Sequence, residues 1–183
     1  INNNFKLKNL NVNSEIKVIR SKYKKPDSLN DYFPNIKNII FLKDHKINIK
    51  LKKNDLYLKG FGKIQLQDKF DEVEYVIKNK DKDLKFTSTI KLNEFNINNP
   101  GLLKKFFPNI NKTLNLKKHQ IKIEYNKDAL SLEGLGEIKL EKKFNKIKYS
   151  IKKIGDKFNF DTRLYLNETS LNIDFLNYEM DKK

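Results

Sequence analysis

Along most of the chain, apolar and polar residues alternate with a period of two. In His45-Lys46-Ile47-Asn48-Ile49-Lys50-Leu51 every second side chain from Ile47 is aliphatic, the spacing of a strand with one greasy and one polar face. The same alternation predicts strands over 56–66, 73–77 and 84–92, and again over 119–126, 129–140, 146–152 and 157–167, with a last one over Ser170–Phe175. Turn chemistry separates them at Lys53-Asn54-Asp55 and at Asn79–Asp83. These connections are too short for parallel crossovers, so the pattern predicts an antiparallel meander. The segment Leu56–Leu66 alone spans roughly 36 Å at about 3.3 Å per residue. One helix is expected per copy of the repeat described next. Pro100 opens the run Pro100–Phe107 at a first-turn position, and Asp27–Phe33 is its counterpart.

The pattern occurs twice, 74 residues apart and without a gap. Phe33-Pro34-Asn35-Ile36 returns as Phe107-Pro108-Asn109-Ile110, and His45 as His119. Gly60-Phe61-Gly62-Lys63-Ile64-Gln65-Leu66 returns as Gly134-Leu135-Gly136-Glu137-Ile138-Lys139-Leu140, and Tyr75 as Tyr149. An ungapped match of this length specifies repeat architecture. It divides the chain into 1–32, the tail of a preceding copy with its linker, then a first repeat over 33–106 and a second over 107–183. The stretch 5–12 is read as the counterpart of 90–97. The chain opens at Ile1 in the middle of the pattern and reads as an excerpt of a longer protein.

Between the copies, apolar positions stay apolar while charges change sign. Lys63 becomes Glu137, Glu72 becomes Lys146 and Glu74 becomes Lys148. A charged contact serving the same purpose in both copies would keep its sign, so the shared requirement is the apolar face. That face needs a cover, because exposed apolar surface of this extent is costly.

Composition adds little to this. The 39 Lys and Arg exceed 23 Asp and Glu for a net charge of +16, and only Arg20 and Arg163 are arginines. Nucleic-acid binders favour the planar fork of arginine, so the lysines (densest at Lys37, Lys43, Lys46, Lys50, Lys52 and Lys53) read as a solvated face, and no nucleic acid is expected. With no Cys, disulfides and Cys-ligated metals are excluded. No apolar run approaches the ~18 residues of a membrane helix. Gly60-x-Gly62 and Gly134-x-Gly136 lack the third glycine of a nucleotide loop and read as bends or bulges in a curving sheet. His45 and His119 have no visible ligand or nucleophile companions and read as structural. Asp71, Glu72 and Glu74 cluster, but their counterparts Asn145, Lys146 and Lys148 give no acid–base pair. Phe70, Tyr75, Phe86, Phe158 and Phe160 are placed on the apolar face as core. No catalytic residue, metal or cofactor is assigned.

Long glycine-punctuated two-faced strands in tandem, the Phe-Pro-Asn-Ile linker and the Gly-x-Gly-x-Ile-x-Leu strand resemble the repeating β-region of the AsmA-like proteins, the large YhdP-type and TamB-type family of Gram-negative bacteria. The resemblance covers roughly residues 33–176. It implies an all-β fold with one or two short helices, a long, curved, taco-like antiparallel sheet with an apolar inner groove. It implies a periplasmic protein, anchored in the inner membrane through a segment outside this chain, that moves phospholipid between inner and outer membranes. The partners would be acyl chains and, through the parent chain, both membranes. The groove lining would be Ile47, Ile49, Leu51, Leu56, Leu58, Ile64, Leu66, Tyr75, Ile77, Phe86, Ile90 and Leu92 in the first repeat. In the second it would be Ile121, Ile123, Tyr125, Leu130, Leu132, Ile138, Leu140, Tyr149, Ile151, Phe160, Leu164 and Leu166. The alternative is a ligand-free structural β-repeat of a cell-envelope or adhesin-like protein. An outer-membrane barrel fits the alternation less well, because the aromatics are scattered along the strands and do not form girdles.

Overall fold

The computed structural model describes residues 11–27, 30, 34–53, 55–81, 83–99, 101–107, 109–127, 129–166, 171–173 and 178–180. Nine strands follow one another across one antiparallel sheet: β1 (Asn11–Lys24), β2 (Ile39–Lys52), β3 (Asp55–Gln65), β4 (Phe70–Lys80), β5 (Asp83–Asn98), β6 (Thr113–Asn126), β7 (Ala129–Leu140), β8 (Lys143–Ile154) and β9 (Lys157–Tyr165). Spatial order equals chain order, and β1 and β9 do not pair, so the curved sheet stays open. A separate two-stranded ladder joins β10 (Leu171–Ile173) to β11 (Tyr178–Met180). Of the expected helix, Leu102–Lys105 forms a single 3₁₀ turn, entered through Gly101 at φ 84°. Most of the counterpart, Asp27–Phe33, lies outside the described residues.

Strands β2 and β6 begin six residues before the alternation suggests. The cause is a bulge in each. Asp44 (φ 54°) and Lys118 (φ 52°) take the left-handed conformation, and the pairing slips between Lys43 and Lys46 and between Lys117 and Gln120. One extra residue shifts the phase of alternation, so Leu42 lies on the same face as Ile47 although five residues separate them. The inserted residue also bends and twists its strand, which curves the sheet.

Following cross-strand partners places Ile47, Gly60, Tyr75, Ser88, Ile123, Leu132, Ile151 and Phe160 in one row on one face. The sequence counterpart of Ile47 is Ile121, so the second repeat sits two residues out of step with the first along the strand direction. Strand β1 meets β2 in the register in which β5 meets β6: Ile16 opposes Ile47 as Ile90 opposes Ile121. The place of 90–97 is therefore held by residues 16–23. The alignment of 5–12 with that segment is corrected accordingly, and residues 5–10 lie outside the described residues.

One end of the apolar face is buried. Leu92, Phe95, Leu114, Leu116, Ile138 and Leu140 from the sheet enclose Phe107 and Ile110 from the connection between β5 and β6. That connection is closed at its base by Asn99 N–H donating to the Lys112 carbonyl at 2.8 Å. The connection before β2 is closed the same way, Lys25 N–H to Asn38 at 2.8 Å. Each fully buried aliphatic or aromatic side chain contributes about 1.5–3 kcal/mol, so this cluster is the main source of tertiary stability.

Candidate functional site

All twenty-four aliphatic and aromatic residues proposed above as lining fall on one face of the sheet, but they are not equivalent. Ile47, Ile49, Leu51, Leu58, Ile77, Phe86, Ile123, Leu132 and Ile151 are half-buried by their in-plane neighbours and have no second layer over them among the described residues. Tyr125, Leu130 and Phe160 are exposed, Phe160 by 69%. Leu92, Ile138 and Leu140, by contrast, are sealed beneath Phe107 and Ile110. They cannot touch a ligand while the connection stays in place. Leu66, Ile90, Ile121, Leu164 and Leu166 pack on the same cluster. Across β2 to β9 the uncovered apolar surface thus lies mainly in the half of each strand nearer the β2–β3, β4–β5, β6–β7 and β8–β9 hairpins, whereas at the β1 edge Tyr23, opposite Ile40, is exposed at the other end.

Phe70 is also misplaced by the alternation. It opposes Gln65 on the polar face, as its counterpart Phe144 opposes Lys139. The Lys117 ammonium lies 4.7 Å from the Phe144 ring centroid, a cation–π contact that suits an aromatic ring among lysines.

The two histidines and four glycines form one device, built twice. His45 Nε2 donates to the Lys63 carbonyl at 3.0 Å, which leaves Nδ1 to accept from Tyr75 Oη at 3.3 Å. His119 repeats this with the Glu137 carbonyl at 3.0 Å and Tyr149 Oη at 3.3 Å. In both copies the two rings tilt at 35° with centroids 5.9 Å apart. The rings lie flat across the neighbouring strand because glycine is there. A Cβ on Gly60 or Gly134 would fall inside the tyrosine ring, and one on Gly62 or Gly136 inside the imidazole. None of these four glycines has positive φ. Their role is close approach, not bending, and the bulge sits opposite them at Asp44 and Lys118.

Burial sets the electrostatics of this device. Loss of solvent pushes the Tyr149 hydroxyl up to about 12 and raises Tyr75 as well. Desolvation pulls His119 below its ordinary 6.5, against the raising effects of the Glu137 carbonyl and carboxylate. The unfolded chain therefore binds the proton more readily than the native one. The stability owed to neutral His119 is complete above about pH 6.5 and is lost as pH falls from there toward the depressed native value. Urea midpoints measured between pH 7.5 and 5 should fall more steeply for the native sequence than for His119→Gln. Parallel slopes would contradict a buried neutral imidazole.

The acidic cluster divides between the faces. Asp71 is buried on the apolar side, where its Oδ1 accepts from the Asn93 amide N–H at 2.8 Å and from its side chain at 3.3 Å. Burial raises its pKa, and the two Asn93 hydrogen bonds oppose that rise. Glu72 and Glu74 point to the opposite side, where Glu72 meets Lys91 at 3.0 Å. Two of the sign changes between repeats, at Lys63 and Glu72, also find their reason on this polar face. Lys63 stands opposite Glu72, and in the second repeat Glu137 stands opposite Lys146. The pair inverted together, so cross-strand complementarity survived although neither sign did. A shallow hollow of about 560 Å³ on the polar face, bordered by Phe61, Lys63, Glu72, Glu74 and Lys91, holds mixed charges with no convergent nucleophile or ligand set. Among the described residues no three His, Asp or Glu side chains converge as metal ligands.

Compared with family models, curated proteins and solved structures, the chain matches none.

Proposed function

We propose that the uncovered apolar half of the sheet carries phospholipid acyl chains, and that the chain is a segment of a bridge-like lipid-transport protein of the periplasm. In this reading a part of the parent protein outside this chain anchors it in the inner membrane, and the groove leads toward the outer membrane. The observation that carries the reading is the uncovered apolar face, on which Ile49, Leu58, Ile77 and Phe86 share one cross-strand row and Ile123, Leu132, Ile151 and Phe160 another, beside a lysine-rich opposite face. The resemblance to the AsmA-like proteins supports the same assignment.

Sliding transport needs continuous lining and no polar clamp. Each methylene group buried contributes about 0.8 kcal/mol, so contact along the lining holds a chain without a headgroup pocket. The recurrence of apolar side chains at equivalent positions of both repeats is what selection for such a lining leaves behind. Buried Leu92, Ile138 and Leu140 serve the sheet in this scheme, and Ile47, Ile49, Ile77, Ile123 and Ile151 meet the lipid.

A photo-crosslinking residue at Ile49 or Ile123 should capture phospholipid in cells. The outward positions Lys50 and Lys122, and the sealed position Leu140, should not. Equal capture from Lys50 and Ile49 would defeat the reading. The second reading, a structural β-repeat without ligand, is favoured by one observation: the β5–β6 connection already covers the other half of the apolar face with protein. Purified chain free of lipid, with no capture at Ile49 or Ile123, would select it.

A further inference from the structure

On the polar face three cations stand in one cross-strand row. Arg20 of β1 opposes Lys43 of β2, and Lys43 opposes Lys63 of β3. In the row beside it Lys17 opposes Lys46, and Lys46 opposes Phe61. At roughly 4.8 Å between strands, the three cations of the first row span only about 10 Å. Like charges directly across a ladder are destabilising. The nearby acids offset them poorly. Glu72, opposite Lys63, is engaged by Lys91 at 3.0 Å, while Asp44 reaches Lys43 only at 4.0 Å and Glu15 reaches Lys17 only at 3.8 Å. Elsewhere on this face, among the described residues, cations meet at most in twos, as Lys78 with Lys85 and Lys148 with Arg163.

The fold does not impose this row. Its equivalents in the second repeat are Glu94, Lys117 and Glu137, which alternate in sign across the same three strands. Likewise Lys59 opposes Asn48, whereas the equivalent Glu133 opposes Lys122. Both repeats belong to one lysine-rich chain, so composition does not explain the contrast either. A local rule broken at a cost in stability, and kept in the sister copy, marks a surface with another task. We infer that the polar face of β1–β3 around Lys43 and Lys46 binds an Asp- and Glu-rich segment of a partner protein, whose carboxylates supply the charges that Glu94 and Glu137 supply in the second repeat.

The sign of the patch calls for an anion, and the way its cations are held indicates the class. The Arg20 guanidinium lies 5.2 Å from the Phe41 ring centroid, and the Lys46 ammonium 5.8 Å from that of Phe61. Such contacts fix the cations in place, which suits carboxylates spaced along a peptide better than mobile lipid headgroups. Arg20 is the single arginine of the patch, which argues against nucleic acid. Phe61, 44% exposed, adds an aromatic contact of the kind protein interfaces favour. The patch does not rely on a free sheet edge, because Lys43 and Lys46 lie on β2, flanked by β1 and β3.

The inference goes beyond the transport reading and does not depend on it, since it uses the face opposite the lining. Fluorescence anisotropy of a labelled glutamate-rich peptide, titrated with the purified chain at physiological ionic strength, should show saturable binding. Lys43→Glu with Lys46→Gln should weaken it by about tenfold or more. Lys148→Glu with Lys152→Gln changes the net charge equally but lies on β8, six strands from β2 and beyond the screening length, and should weaken it by less than about twofold. Lys43→Glu alone makes the signs alternate from Arg20 to Glu72, so it should raise the urea midpoint while it weakens peptide binding. A purely structural role for Lys43 would not separate the two. Circular dichroism checks that each variant keeps its sheet. Absence of peptide binding, or equal losses from the two double variants, would overturn the inference. So would a Lys43→Glu chain less stable than the native one. A larger loss for the first double variant on vesicles with about one-third phosphatidylglycerol, or on single-stranded DNA, than on the peptide would overturn it in favour of a membrane or a nucleic acid.

Discussion

Replacing Gly134 with valine should remove about 3–5 kcal/mol of stability, a large part of the 5–15 kcal/mol available to a domain. A side chain at this position would occupy the space of the Tyr149 ring, which is half-buried. The ring must leave, with loss of its burial, about 2–3 kcal/mol, and of its hydrogen bond to His119, about 1 kcal/mol. The strand itself tolerates valine, because Gly134 has ordinary extended geometry and valine favours strands. The loss therefore measures the ring and not the backbone. Urea denaturation followed by tyrosine fluorescence would read it. Leu135→Ala, one residue away and 56% exposed, serves as the control and should change stability by less than about 0.5 kcal/mol. Equal effects at the two positions would mean that Tyr149 does not lie over the glycine.

A comparable loss, about 3–5 kcal/mol, is expected for Phe107→Ala. Phe107 is 3% exposed and anchors the β5–β6 connection onto Leu92, Leu114 and Leu140. Its amide donates to the Leu103 carbonyl at 2.8 Å, and its own carbonyl accepts from Ile110 at 3.1 Å. Truncation therefore empties the cover and loosens the turn that carries it. Hydrogen exchange should show lost protection at Phe107 and Ile110, while the ladder from Gly60 to Tyr75 keeps its own. Phe106→Ala is the internal comparison, because the neighbouring ring is 37% exposed and should cost little. If both truncations behave alike, the connection is not a cover.

The strand face was legible in the sequence because burial on one side selects every second residue, and the 74-residue repeat doubled that signal. The four strands per copy and the hairpins at Lys53 and Asp81 followed from it. The bulges were not legible. Asp44 and Lys118 are ordinary polar residues, and nothing in their identity announces a left-handed backbone. The early halves of β2 and β6 stayed hidden for that reason, since Ile40 and Leu42 fall out of phase with Ile47 and Ile49. A change in the parity of alternation at the same point in both copies was the available clue. The histidines and glycines are legible as repeated but not as partners, because the contact of His45 with Gly62 and Tyr75 crosses three strands. The apolar face is legible residue by residue but its uncovered extent is not: a sequence shows which side chains share a side, not which of them a connection will cover. From the sequence alone the sign changes look like the absence of a requirement. Only the register shows that Lys63 with Glu72 and Glu137 with Lys146 are the same requirement written in opposite charges.

The two-residue offset between repeats has a geometric consequence. Four strands advance about 19 Å across the sheet, at roughly 4.8 Å each, and the offset displaces equivalent side chains by about 7 Å along the strands. A line joining like positions is thus inclined by about 20° to the perpendicular. Stacked further with the same offset, such units would trace a screw, and anything that followed the greasy track from one unit to the next would turn as it travelled.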